Sequence, residues 1–277
     1  MPPPPVVTFW TILKENIKID SLKDGMILNR EEWLEALHTK NAIQSWLQLN
    51  NSFIIAFGNS EACKFVGSFL PTSRGFCKPI PCLHPDFQIP QYDCLYKTAA
   101  KLATSEFLVS IQSDNVLFND FVDALAESSS QFDDFLMVGR RIDVNYPHLI
   151  DFSDPLWKDD LQDSAIRTGK LHGEYGVDYF AYRKIYSPEM PPFLVGGVLW
   201  DNYLLAKYIQ GHNRTSIDAT KVVMAIHLNH MKVNLLILIL FFLKIFFSFF
   251  LFFFLSFFFL VFFFFFFFFF FFFFFFF

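Results

Sequence analysis

One acidic residue stands where a buried strand is expected to end. Residues 107–118 read FLVSIQSDNVLF, so Asp114 follows an apolar run that ends near Ile111. A carboxylate in that position is costly to bury unless a cation pairs with it. Its oxygens suit Mg²⁺ or Mn²⁺, and such an ion would in turn bind a diphosphate. The short motif fits a metal ligand and an ordinary helix N-cap equally well.

A second acidic residue, Asp201, precedes a predicted helix at residues 203–209. Gly196 and Gly197 lie before it and permit a tight turn or the close approach of a ligand. Asp201 has the chemistry of a general base for an acceptor hydroxyl. A helix N-cap is the simpler interpretation, and this segment taken alone favours it.

Two histidines, His227 and His230, follow a predicted strand at residues 222–226. Imidazoles three residues apart share a metal only on a helix or turn, because on an extended strand they face opposite sides. We expect one of the two to join Asp114 as a metal ligand. The alternative is that both are ordinary polar residues.

A glycine-flanked loop carries His172, Glu174 and Asp178. These side chains are candidates for contact with an acceptor sugar, and Tyr175 or Tyr179 would offer an aromatic surface for stacking. The alternative is a solvated loop without such a role.

Short apolar runs alternate with segments of helical periodicity up to about residue 230. We predict strands at 6–12, 53–57, 107–112, 135–138 and 222–226, and helices at 31–49, 60–65, 93–104, 121–128 and 203–209. Residues 66–91, rich in Pro, Gly and Ser, are predicted mostly as loop. This order predicts an α/β fold with a doubly wound, mostly parallel sheet flanked by helices. Ligands bind outside the carboxyl ends of such strands, which points to Asp114 and to the loop after Gly58.

Charge and cysteine content exclude some classes of protein. The 277-residue chain has a formal net charge of -5 and shows no basic stripe, so nucleic acid is not an expected partner. Cys63, Cys77, Cys82 and Cys94 form no CxxC pair, so a zinc site is not expected and one disulfide is allowed.

The N-terminus and two short motifs bear on the compartment. Residues 1–5 are proline-rich, and the start of the chain lacks the charged and apolar regions of a signal peptide. Asn50 and Asn213 begin Asn-X-Ser/Thr sequences, which matter only if the chain enters the secretory route.

The C-terminal tail, residues 232–277, differs in kind from the rest. From Leu235 onward nearly every residue is Phe, Leu, Ile or Val, and positions 262–277 are Phe throughout. The run is longer than the about 20 residues of a transmembrane helix, but natural spans seldom consist of one aromatic type. We favour translated intron sequence, because a pyrimidine-rich intron encodes Phe and the codons of Val233 and Asn234 can hold a splice donor. A non-globular segment outside the fold is therefore expected, with a transmembrane segment as the alternative.

Taken together, these segments resemble glycosyltransferase-like proteins of the nucleotide-diphospho-sugar transferase superfamily, which have the GT-A fold. The matching segments, in family order, are VTFWT (7–11), NAIQSWL (41–47), IIAFG (54–58), residues 107–118, residues 135–141, DYFAYR (178–183), PFLVGG (192–197) with WDN (200–202), IDAT (217–220) and HLNH (227–230). The resemblance implies a GT-A-like domain at residues 6–231.

The resemblance also implies roles for individual residues. Thr8, Phe9 and Trp10 would border the nucleotide pocket. Asp114 would be the metal-binding aspartate, with Asn115 assisting it, and Asp201 would be the base or an acceptor-binding residue. A divalent metal, Mn²⁺ or Mg²⁺, would be the cofactor, a nucleotide-sugar the donor and a hydroxyl compound the acceptor.

The chain departs from the family pattern at three points. Gln112 stands where the first of two paired acids is usual, which puts metal dependence in doubt. Gly197 stands where a larger or basic residue is common. The tail replaces the region that often completes such domains after His230, so a truncated product is expected.

Two classes of function follow. The first is a glycosyltransferase, and the alternative is a catalytically inactive remnant that binds a nucleotide or a glycan. A nucleotidyltransferase is ranked lower, because no Gly-rich, Arg-containing loop follows the first strand. The protein would be cytoplasmic if the tail is an artefact, and membrane-tethered if the tail is genuine.

Overall fold

The computed structural model describes residues 6–22, 30–174, 176–211 and 214–229. The predicted tail at 232–277 lies outside these residues, as do Tyr175, Asn213 and His230. Among the helices in the described ranges, none combines the length and apolar character needed to cross a bilayer.

Strands and helices alternate along most of the chain. The strands are β1 (Val7–Ile12), β2 (Ser52–Gly58), β3 (Gly75–Pro79), β4 (Phe107–Ile111), β5 (Asn115–Val116), β6 (Phe135–Val144), β7 (Lys170–Leu171), β8 (Val177–Arg183), β9 (Thr215–Asp218) and β10 (Ala225–Leu228). The helices are α1 (Arg30–Leu47), α2 (Ser60–Gly67), α3 (Tyr92–Leu102), α4 (Asn119–Gln131), α5 (Trp157–Thr168) and α6 (Trp200–Ile209), with a short 3-10 helix at Lys184–Tyr186.

The strands form one mixed sheet in the order β3-β2-β1-β4-β8-β6-β10-β5, and β7 and β9 also pair with β6. Strands β1 to β4 are parallel to one another, as are β6, β9 and β10. Strand β8 is antiparallel to both of its neighbours, β4 and β6. The prediction of an α/β fold with a mostly parallel sheet flanked by helices is confirmed at this level.

Apolar side chains of β1 point alternately to the two faces of the sheet, and each face is covered by helices. On one face, Phe9 stacks on Trp46 of α1, with ring centroids 5.6 Å apart. On the other face, Trp10 meets Tyr96 of α3 edge to face at 4.7 Å. Because Phe9 and Trp10 are both fully buried, β1 is a central strand with core on both sides.

The sequence did not predict the strands β3, β5, β7, β8 and β9 or the helix α5. Strand β3 lies inside residues 66–91, which were predicted mostly as loop; it is short, half exposed and ends at a proline. Strand β8 is buried on both faces, so it lacks the polar–apolar alternation that identifies a half-buried strand. Helix α5 buries few residues and has a mostly polar sequence.

Two disulfides fasten the segment around β3. Cys63 of α2 is bonded to Cys77 of β3, and Cys82 is bonded to Cys94 of α3. The sequence analysis allowed for one disulfide, and the structure contains two.

Arg74 fixes the turn between α1 and β2. Its guanidinium donates hydrogen bonds to the carbonyl oxygens of Leu47, Leu49 and Ser52 and to the Ser52 hydroxyl, at 2.8–3.2 Å. The last carbonyls of a helix have no partner within the helix, so this cation satisfies the end of α1.

We expect Arg74→Ala to lower the free energy of unfolding by about 2–3 kcal/mol, because several carbonyl oxygens lose a charged donor. Urea denaturation followed by circular dichroism measures the change. Lys97→Ala is the matched control, since Lys97 is exposed and forms one i,i+4 pair with Asp93, whose loss should cost no more than about 0.5 kcal/mol. Equal effects of the two changes would contradict this role of Arg74.

Candidate functional site

A cavity of about 800 Å³ opens at the carboxyl ends of β1 and β4. It is lined by residues 10–15, 110–114 and 195–202, together with Ile80, Ile89, Pro90, Tyr92, Arg141, His172, Gly176 and Asp178. This is the edge of the sheet at which an α/β fold is expected to bind ligands.

Backbone hydrogen bonds that join the end of β4 to β8 and β10 fix the position of Asp114 at this edge. All five residues of β4 are buried, and the chain then turns as Gln112 donates to the Asp178 carbonyl and Asn115 donates to the Gln112 carbonyl. The amide of Leu228 donates to the carbonyl oxygen of Asp114 at 3.0 Å. Asp114 is therefore fixed by β4, β8 and β10 together, and only 3% of its surface is exposed.

The carboxylate of Asp114 faces groups of positive or partly positive charge. His227 Nε2 lies 3.6 Å and Lys14 Nζ lies 4.0 Å from Asp114 Oδ2, and Asn115 Nδ2 donates to Oδ1 at 3.3 Å. His227 reaches this position because β10 pairs with β5 in the register His227 opposite Asn115. The structure thus brings His227 beside Asp114, where one of the two histidines was expected; their role as metal ligands stays a prediction.

A second layer of charged groups surrounds this pair. Asp143 accepts a hydrogen bond from Arg141 Nε at 2.9 Å, and its carboxylate also lies 2.7 Å from His172 Nδ1 and 3.2 Å from His227 Nδ1. Arg141 reaches Asp178 with its other end. His227 therefore lies between two carboxylates, those of Asp114 and Asp143. Arg141 in turn contacts both Asp143 and Asp178.

Burial and charge oppose each other at these groups. Burial lowers the pKa of His227, but the hydrogen bond and negative charge of Asp114 outweigh it, so the pKa lies above its ordinary value. Burial also raises the pKa of Asp143, but His172 and Arg141 bring it below the ordinary value. For Asp178 burial prevails over Arg141, and the pKa is raised. The charge state of each of these groups therefore depends on its charged neighbours.

The composition of the cluster fits a divalent cation. It contains four carboxylates (Glu35, Asp114, Asp143, Asp178), two permanent cations (Lys14, Arg141) and two imidazoles (His172, His227). With both imidazoles neutral, the formal charge is minus two, which one divalent ion would balance. Asn115 Oδ1 is buried beside Asp114 and lacks a hydrogen-bond partner in the described part of the chain, so a further oxygen ligand is at hand. 

The protein would supply only part of the coordination. Within the described residues, no three His, Cys, Asp or Glu side chains are arranged to hold a metal. Mg²⁺ is commonly bound by one or two carboxylates plus phosphate oxygens and waters. Asp114 fits that mode of binding, whereas an imidazole such as that of His227 suits transition-metal ions better than Mg²⁺.

The three residues expected at the nucleotide pocket lie in different surroundings. Thr8 and Phe9 are fully buried and are not among the residues that line the cavity; the Thr8 hydroxyl accepts a hydrogen bond from Ser105. Trp10 does line the cavity, although its indole nitrogen donates to the Tyr182 hydroxyl. Residues 11–15 line the cavity as well, because β1 ends there. The lining of the cavity thus begins at Trp10, two residues after Thr8, the first residue expected at the nucleotide pocket.

Asp201 lines the same cavity as Asp114. It is the second residue of α6, and its Oδ1 accepts a hydrogen bond from the amide of Asn202 at 2.8 Å. The preceding turn contains two residues in the left-handed region, Gly196 with φ 79° and Leu199 with φ 74°. Leucine in this conformation costs on the order of 1 kcal/mol, and such strain is concentrated at functional segments.

The residues of the expected acceptor loop are divided. His172 and Asp178 line the cavity, but Asp178 is a buried residue of β8 that pairs with Arg141. Glu174 is exposed and is not among the lining residues. The expectation that Tyr179 offers a stacking surface is wrong, because its ring is fully buried and packs on Phe121.

Lys14, Arg141 and Asp143 belong to the site but were not predicted. Lys14 follows β1 by two residues, and Arg141 and Asp143 lie in the second half of β6. Residues 140–143 read RRID, so opposite charges directly follow the apolar run of β6. Charges at the end of a buried strand need partners, and this pattern could have indicated the charged cluster.

Comparisons with known proteins find similarity to solved structures. No family model matches the chain, and no curated protein matches it. A crystal structure of residues 1–349 of TarS from S. aureus is similar, with a TM-score of 0.47 and 9% identity over 80% of this chain and 60% of that one. The chain thus spans about three-fifths of that structure, and a similarity at this level carries no argument about function.

We expect Arg141→Met to lower the free energy of unfolding by about 3–5 kcal/mol near neutral pH, because it leaves Asp178 buried without its cation and removes one charged partner of the half-buried Asp143. The folded-state pKa of Asp178, already raised, would rise further. A raised carboxyl pKa favours the folded state at low pH, so the loss should shrink as the pH falls. Urea denaturation across a pH series measures this.

Two variants control the measurement. Arg167→Met, on the exposed face of α5, should change stability by less than about 0.5 kcal/mol. Adding Asp178→Asn to Arg141→Met should restore part of the loss, because one unpaired charge is removed. A loss that is independent of pH and insensitive to Asp178→Asn would contradict the ion-pair interpretation.

Proposed function

We propose that this chain is a GT-A-type glycosyltransferase that moves a sugar from a nucleotide-diphosphate donor to a hydroxyl acceptor. The observation that carries the proposal is Asp114, buried where β4 ends, on a cavity of about 800 Å³ and 3.6 Å from His227. The order of family-like segments and the α/β sheet support it.

The charged end of the cavity suits a diphosphate. Lys14 lines the cavity, and about a third of its side chain is exposed there, so it can form ion pairs with phosphate oxygens. Asp114 and His227 would hold Mn²⁺ or Mg²⁺, with Asn115 assisting. Such an ion, when bound, neutralises the charge that develops on the leaving diphosphate.

The reaction exchanges one bond at the anomeric carbon for another. The acceptor oxygen bonds to that carbon as its bond to the diphosphate breaks, and the electron pair of the broken bond stays on the phosphate oxygen. Asp201, at the start of α6 on the same cavity, would take the acceptor proton if the reaction inverts the anomeric configuration. Lys14 would compensate the new phosphate charge.

A non-catalytic nucleotide- or glycan-binding protein is the second candidate. Two observations favour it: Gln112 replaces the first of the paired acids, and Lys14 already places a protein cation 4.0 Å from Asp114. In that case Lys14 would bind the nucleotide phosphates, and no metal or turnover would be required.

Asp114→Asn separates the two candidates. After screening UDP-, GDP- and ADP-sugars for hydrolysis, we expect this change to reduce turnover of the active donor by about 100-fold or more. Asp163→Asn, on an exposed position of α5, is the matched control and should retain the wild-type rate. Calorimetry with UDP should show tighter binding when Mn²⁺ is present, and Asp114→Asn should abolish that gain.

Two results would contradict this proposal in different ways. Unchanged turnover in Asp114→Asn would exclude Asp114 from the reaction. UDP binding that ignores Mn²⁺, is lost in Lys14→Met and is accompanied by no donor turnover would instead support the non-catalytic candidate.

Asp201→Asn tests the assignment of the base. We expect kcat for transfer to an alcohol acceptor to fall about 100- to 10,000-fold, because proton removal is lost, while UDP affinity stays within about twofold. Asp163→Asn, at an exposed position of α5 away from the cavity, is the control and should retain transfer. A change confined to KM would reassign Asp201 to acceptor binding.

A further inference from the structure

The turn between α1 and β2 carries an Asn-X-Ser sequence, Asn50-Asn51-Ser52. Such a sequence accepts an N-linked glycan when it is presented to the glycosylation machinery. Asn50 is exposed at the surface in the folded chain. The motif is thus placed where a bulky modification can be accommodated.

The other two residues of the motif have structural roles. Asn51 has a φ of 58°, a left-handed conformation that Asn tolerates better than most residues, and its carbonyl accepts a hydrogen bond from the amide of Val7. The Ser52 hydroxyl donates to the Trp46 carbonyl at 2.7 Å and accepts from Arg74 at 2.8 Å. Both residues therefore shape the turn, whereas Asn50 projects from it.

The cysteines indicate the compartment in which the chain folds. All four are joined in two disulfides, Cys63–Cys77 and Cys82–Cys94. Disulfides form and persist in oxidising compartments and are rare in the cytosol, where thiols are kept reduced. N-linked glycans are added on the secretory route, so the disulfides and the motif point to one environment, which differs from the cytoplasmic location expected if the tail is an artefact.

The location of Asn50 keeps a glycan away from the cavity. Val7 pairs with Ser52 at the amino ends of β1 and β2, whereas the cavity lies beyond the carboxyl end of β1. Strand β2 has seven residues and spans about 20 Å. A glycan on Asn50 would therefore lie at the opposite ends of the strands and leave the cavity open.

We infer that Asn50 carries an N-linked glycan, acquired on the secretory route in which the two disulfides form. The Asn50 amide nitrogen bonds to the anomeric carbon of an oligosaccharide as that carbon's bond to a lipid-linked diphosphate breaks. The amide loses a proton, and the electron pair of the broken bond stays on the phosphate. Ser52 is buried and hydrogen-bonded once the turn has folded, so the transfer precedes closure of the turn.

One tryptic digest of the protein purified from its own source tests both parts of the inference. The peptide 41–64 contains Asn50 and Cys63, and the peptide 75–97 contains Cys77, because Lys78 precedes a proline and resists cleavage. Without reductant, the two peptides should be recovered joined by the Cys63–Cys77 bond. After release of glycans by an amidase in heavy-oxygen water, Asn50 should be found as heavy-labelled Asp.

The peptide 208–214, which contains Asn213, is an internal comparison in the same digest. Expression of the full chain in animal cells supplies the variants: Asn50→Gln should lose one amidase-sensitive mass shift, whereas Asn213→Gln should retain the shift that belongs to Asn50. Linked peptides with unlabelled Asn50 would overturn the glycan assignment, including when Asn213 is labelled. Free thiols at Cys63 and Cys77 would overturn the assignment of the compartment.

Discussion

A buried carboxylate at the end of a strand must be matched by positive charge, and the structure around Asp114 meets this requirement. Removing a carboxylate from water costs several kcal/mol, which favourable contacts must offset. His227 arrives on β10, from the far end of the described chain, and Lys14 arrives just after β1. Residues from segments widely separated in sequence therefore surround this one acid.

The antiparallel strand β8 makes this meeting compact. By lying between β4 and β6, it places Asp178 next to Gln112 on one side and Arg141 on the other. Arg141 then connects Asp178 with Asp143, and Asp143 approaches His227. Asp143 and Arg141 thus position the imidazole of His227 that faces Asp114. In metal sites, outer hydrogen-bonding groups orient the ligands in the same way.

Local patterns in the sequence predicted much of the fold and the position of Asp114. Apolar runs and helical periodicity identified β1, β2, β4 and most helices, because these signals depend on neighbouring residues only. The pairing of Arg141 with Asp178 could not be predicted, since it depends on how distant strands are ordered. Similarly, Tyr179 looked available for stacking until the central position of β8 showed that its ring is buried.

The negative charge of the cluster around Asp114 can be balanced in three ways: by a proton on His227, by Lys14, or by a divalent ion. Because Asp114 raises the pKa of His227, a proton competes with a metal for the imidazole, and metal binding must release that proton. Lys14 lies 4.0 Å from Asp114 and 3.2 Å from Glu35, so its charge is shared between two carboxylates. Under the proposed function, a nucleotide diphosphate would bring further negative charge to this cluster, and Lys14 and a divalent ion are the groups that would balance it.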